Sequence, residues 1–166
     1  MKRWTMLLAA FGFLIATIPS QAEAQVQFGP QAVVWDFEDV GVGARVDFAL
    51  SDAFGIDDGF FDGLFASING NYLFSDLDGT VLLFNGNASV PFDVDGAVTP
   101  YAGAGINHWR WSDEVAGVSV SSSNSGLNLL GGLFFDLGEI PAFGELQYST
   151  TGAGFLSVSV GVLFGG

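Results

Sequence analysis

Cysteine is absent from the 166-residue chain. That excludes a disulfide framework, a thiolate nucleophile and a cysteine zinc site. Basic residues are nearly absent too: four lysines and arginines stand against eighteen acids, a formal net charge of −14. Lys2 and Arg3 belong to the extreme amino terminus. From Gln25 onward only Arg45 and Arg110 remain, there is no lysine, and the net charge is −15. Such a surface repels phosphate backbones and excludes a nucleic-acid partner. Histidine occurs once, at His108. What is abundant is apolar: 49% hydrophobic residues with 24 glycines, which excludes a disordered acidic tail. The length suits one domain.

The first 24 residues read as an address. Met1-Lys2-Arg3 is a positive start, residues 4–18 are almost wholly apolar, and Pro19 breaks the run. Ala22-Glu23-Ala24 then places small residues at −3 and −1 of a cut before Gln25, the layout of a secretory signal peptide. The apolar run is shorter than the ~20 residues of a spanning helix. The expected organisation is a cleaved helical leader at 1–24 and one exported domain at 25–166.

Along the exported part the hydrophobic period is two. In residues 42–50, Val42, Ala44, Val46, Phe48 and Leu50 alternate with Gly43, Arg45, Asp47 and Ala49. The same pattern recurs at 64–74, 82–92, 127–137, 142–148 and 156–164, with Asn69, Asn71, Asn85, Asn87, Asn128 and Gln147 on the polar side. Strict alternation marks strands with one apolar and one polar face. Residues 99–111 and 33–37 complete a count of eight. Asp78-Gly79 and Asp95-Gly96 are hairpin dipeptides. Residues 51–61 form an acidic link, and the serine-rich residues 112–125 form the longest polar link.

Alternation fits a soluble secreted β-barrel with apolar faces inward, or a membrane barrel with them outward. The polar faces carry Gly, Ser and Asn rather than the Lys and Glu of an exposed soluble sheet. Charge gathers in the connections, at Asp52, Asp57, Asp58, Asp62, Asp76, Asp78, Asp93, Asp95, Asp113 and Glu114. Eight strands of about ten residues leave about 60 residues for ends and connections. The expected fold is all-β: an eight-stranded antiparallel up-and-down transmembrane β-barrel, closed and without a wide pore.

Four segments carry a family resemblance. They are Pro100-Tyr101-Ala102-Gly103-Ala104-Gly105-Ile106, Gly126-Leu127-Asn128-Leu129-Leu130-Gly131-Gly132, Gly144-Glu145-Leu146-Gln147-Tyr148 and the final strand at 156–164. With these the chain resembles the OmpA/OmpX-like eight-stranded outer-membrane barrels. The resemblance implies a porin-like protein of the outer membrane of a Gram-negative-type cell envelope. It also implies outer-membrane lipids as surroundings and insertion by the outer-membrane assembly machinery, which reads an aromatic-ended last strand. Phe164 is the assembly-signal candidate here, although the chain ends Gly165-Gly166.

Candidate chemistry is sparse. Arg45, Asp47, Asp136 and Glu145 fall on inward faces, and a charge inside a narrow barrel must be paired, so an interior ion-pair network is expected rather than a gated channel. Trp109 and Trp111 are expected as interfacial aromatics of a membrane girdle. His108, on the apolar face of its strand, lacks the His-x-Ser spacing of a lipid A deacylase. The acidic turns match no calcium-loop spacing. No enzymatic activity and no cofactor are expected, and the chain is expected to be a monomer with a structural or surface-interaction role. Other roles are a barrel for a small hydrophobic ligand and a lipid A-modifying enzyme.

Overall fold

The computed structural model describes residues 26–56, 58–74, 79–115 and 118–165. The leader at 1–24 lies outside them, as do Asp57, Asp76 and Asp78. Eight antiparallel strands close into one barrel in sequence order. They are β1 (Val26–Trp35), β2 (Asp39–Ala49), β3 (Phe65–Phe74), β4 (Thr80–Pro91), β5 (Val98–Val115), β6 (Val118–Leu137), β7 (Ile140–Ser149) and β8 (Phe155–Val162). A five-residue helix, α1 (Leu50–Phe54), opens the β2–β3 connection. The upper end below carries Trp35, Trp111 and the β5–β6 tip; the lower end carries both chain termini of the barrel.

The apolar faces point outward. Ile106 is 64% exposed and Leu127 63%, whereas Arg45 and Asn128 are each 1% exposed. Val42, Ile68, Phe84, Leu146 and Val160 join the outer surface, and Gln31, Asn69, Asn85, Asn107 and Gln147 are buried in the lumen. Water would disfavour such an exterior strongly, since apolar area costs about 25 cal/mol per Å² exposed. A hydrocarbon surrounding removes that cost, and a closed barrel leaves no unpaired edge within it. Among the described residues no helix is long and apolar enough to cross a membrane.

The barrel closes where β1 meets β8. Their ladder runs from Trp35↔Ser157 to Gln31↔Gly161. Pro30 then interrupts it, because proline has no N–H to donate. Pairing resumes in the same register at Phe28, whose N–H donates to Phe164 O at 2.9 Å while Phe164 N–H donates to Phe28 O at 2.7 Å. A Cβ on Gly29 would collide with the Val162 carbonyl, so only glycine fits the seam there.

Three strands differ from the sequence reading by more than three residues at one end. The first strand starts at Val26 and ends at Trp35, not 33–37. Phe37 lies in the turn, where Asp36 and Phe37 take φ of 52° and 59°. The polar link at 112–125 is largely strand: β5 and β6 continue as a paired hairpin to Val115↔Val118. Beyond the barrel both hairpin faces are polar, so no hydrophobic period marks it, yet the backbone ladder simply continues.

Candidate functional site: a layered lumen and a polar hairpin

The lumen is filled in three layers. At the upper end Val33, Leu73 and Val81 are buried, with Trp35, Trp109 and Trp111 packed against them. Phe155 stacks edge-on to Trp35 at 5.1 Å between ring centroids. This corrects the expectation for Trp109 and Trp111. They are not lipid-facing girdle residues. Inward parity on β5 runs from Tyr101 through Asn107, a buried residue, and places both indoles in the lumen, with His108 and Arg110 outside.

The middle layer is made of amides. Asn128 Nδ2 donates to Asn87 Oδ1 at 2.9 Å, and Asn107 Nδ2 donates to Asn128 Oδ1 at 2.7 Å. Gln147 Nε2 donates to Asn85 Oδ1 at 3.0 Å, and Asn85 Nδ2 donates to Asn69 Oδ1 at 2.8 Å. Ser149 and Thr151 add hydroxyl donors to Asn128 and Asn107. An amide carries both donor and acceptor, so neighbours satisfy one another without net charge.

The lower layer holds the charges. Arg45 Nε donates to Asp47 Oδ1 at 2.7 Å and Nη1 to Glu145 Oε2 at 2.8 Å. Tyr101 Oη donates to the same Glu145 oxygen at 2.9 Å. The Arg45 guanidinium also lies 4.3 Å from the Phe143 ring centroid, a cation–π distance. Phe65, Tyr101 and Leu130, with Phe134 against them, close the layer. Gly132 makes this stacking possible: a Cβ there would enter the Tyr101 ring. Asp136 lies apart. Its parity on β6 is inward, but it is exposed at the lower rim, two positions past Phe134 and outside the closed interior. Sequence reasoning missed Tyr101, although its alternation with Gly103 and Gly105 already put it on the inward side.

Among the described residues these three layers follow one another along the lumen. A cavity of about 210 Å³ opens at the lower mouth, lined by Gln27, Asp47, Phe65 and Phe134 among others. It falls short of the ~300–1,000 Å³ of small-molecule sites. Among the described residues no three His, Asp or Glu side chains gather as a metal site. His108 sits on the outer face, where its Nδ1 contacts Ser125 Oγ at 2.9 Å. In a catalytic triad one ring nitrogen faces the nucleophile and the other an orienting acid. The described residues give His108 no such acid. Phe164 lies outside, 45% exposed, at the closing seam with Phe28.

Solved structures share this architecture. The amino-terminal barrel of Pseudomonas aeruginosa OprF superposes with a TM-score of 0.62 at 17% identity, over 87% of this chain and 100% of that one. The fold is that of the OmpA/OmpX-like outer-membrane barrels. Yersinia pestis Ail, the attachment invasion locus protein, matches this small barrel at TM-score 0.58 and 18% identity, over 85% of this chain and 97% of that one. Neisserial surface protein A matches at 0.51 and 18%, over 85% and 96%. No family model and no curated protein sequence matches the chain.

Proposed function

We propose that the protein is a monomeric outer-membrane barrel that makes contacts at the cell surface through its β5–β6 hairpin and neither conducts nor catalyses. The observation that carries this reading is the hairpin itself. β6 pairs with β7 only from Asn128 downward, so the segment from Val118 to Gly126 has one edge open. An open edge can add an extended segment of a partner protein through main-chain hydrogen bonds. With both barrel termini on the periplasmic side, the hairpin projects outward. Outer-membrane lipids then surround the apolar band, and Phe164 serves the assembly machinery as the aromatic just past the last strand.

The chemistry of the hairpin narrows the partner. Residues 112–125 are serines, valines, Ala116, Gly117, Asn124, Asp113 and Glu114, with no basic residue. Ail has been solved with the heparin analogue sucrose octasulfate. A sulfated polyanion does not suit this acidic hairpin, and a protein segment does. The test replaces residues 113–124 by a two-residue Asn-Gly turn and measures adhesion of cells displaying either form to extracellular proteins. Adhesion lost with the barrel still membrane-inserted supports the reading; adhesion unchanged contradicts it.

A further inference from the structure

The exterior gathers its basic side chains in one place. The exported part holds three basic side chains: Arg45, Arg110 and His108. Arg45 is consumed inside the lumen. The other two are neighbours on the outer face of β5, directly above the apolar Ile106. On both flanks the paired positions are uncharged. Arg110 lies between Leu82 and Ser123, and His108 between Phe84 and Ser125. The nearest outward acid on β5 is Glu114, about 13 Å further up the strand. Arg110 is exposed and makes no ion pair among the described residues. An unpaired arginine with an imidazole beside it, on a chain of this acidity, is a place for an anion.

A groove ends one strand away, at the β4 residues Leu82 and Phe84 that pair with these two positions. An apolar groove of about 540 Å³ crosses the outside of β1 to β4. Its lining includes Val42, Ala44, Gly70, Tyr72, Leu82 and Phe84. Two rows of the strand register form part of it. One runs Ala44, Gly70, Phe84 and arrives one strand later at His108. The next runs Val42, Tyr72, Leu82 and arrives at Arg110. The rows climb as they go: Ala44 is five residues above the lower end of β2 at Ala49, and His108 is ten above the lower end of β5 at Val98. The small Ala44 and Gly70 make the depression. A volume of this size holds a ligand rather than a single side chain.

We propose that this face binds a phosphate-bearing, multiply acylated lipid of the outer leaflet, with its phosphate at Arg110 and His108 and an acyl chain in the groove. Ser123 stands beside Arg110 as a further hydroxyl donor. Ser125 already holds the His108 ring by Nδ1 and leaves Nε2 for the phosphate. The inference rests on the membrane placement proposed above, and the experiment separates the two.

The full exported chain is inserted in phosphatidylcholine nanodiscs. The mobility change on boiling reports insertion and thereby tests the placement alone. Thermal midpoints are then followed while bis-phosphorylated lipid A is added, in parallel with dephosphorylated lipid A and with inorganic phosphate. The expected result is a rise with bis-phosphorylated lipid A only. In the R110Q/H108Q variant the rise should need about fivefold more lipid, the equivalent of the attraction of about 1 kcal/mol that one arginine near the membrane surface supplies. Arg110→Lys should keep most of the effect, and Ala44→Phe, which fills the groove, should weaken it. Both changes lie on the outer surface and leave the lumen intact. An inserted wild type with no rise, an equal rise with dephosphorylated lipid or free phosphate, or an R110Q/H108Q titration matching wild type would overturn the proposal.

Discussion

Arg45 is the residue on which the interior depends most. It is 1% exposed, and its guanidinium answers two carboxylates that water does not reach. Removing one member of a buried charge set strands the others, which typically costs about 3–5 kcal/mol. Arg45→Met should therefore lower unfolding stability in vesicles by about that much, because Asp47 and Glu145 then face each other unpaired. Adding Asp47→Asn and Glu145→Gln should recover more than half of the loss, since neutral amides suit the layer above. A neutral Arg45→Met would show the cluster to be energetically idle. The tryptophans give a second residue-scale prediction. Trp35, Trp109 and Trp111 all pack in the lumen. Lipids brominated on their acyl chains should quench their fluorescence weakly, and should quench a Phe84→Trp reporter strongly. Equal quenching would put the native indoles on the lipid face.

Among the elements, the β1–β8 seam and the β5–β6 hairpin make opposite demands. The seam tolerates nothing at Gly29, where a side chain meets the Val162 carbonyl. Gly29→Val should block closure, leaving a chain that migrates identically with and without boiling. The hairpin should tolerate almost anything. Its residues beyond Trp111 on β5 and before Gly126 on β6 lie past the tryptophan cap, so replacing 113–124 by a two-residue turn should change the unfolding midpoint little. A large loss of stability would mean that the hairpin supports the barrel. This contrast also explains what the sequence disclosed. Strands with one lipid face and one lumen face announced themselves by period two, from Val42 through Phe164. The hairpin, polar on both faces, had no period to read. The first strand extends past its apolar alternation through Pro30, which sits at the seam, where the lost N–H is tolerable. The error over Trp109 and Trp111 was of another kind. Alternation had already placed Ile106 and His108 outside, and carrying it two residues further put both indoles inside.

The whole molecule is a membrane barrel turned inside out relative to a soluble one and filled to the centre. Arg45, Asp47 and Glu145 converge as the inward pattern suggested, because parity fixes the face and the narrow lumen brings opposite walls together. Asp136 shows the limit of parity: it gives direction but not depth. The tryptophan cap, the amide layer and the charged layer block the lumen in series. Reconstituted in planar bilayers, the protein should give no stable conductance steps; steady openings in nanomolar protein would contradict the filled lumen. The central claim is that the apolar face meets lipid around a closed barrel, and one gel tests it most directly. The exported chain is folded into lipid vesicles and electrophoresed with and without boiling. The account predicts a membrane-bound protein that runs faster unboiled and shifts to its full apparent mass on boiling. A chain that remains soluble without lipid or detergent, and whose mobility does not change on boiling, would contradict it.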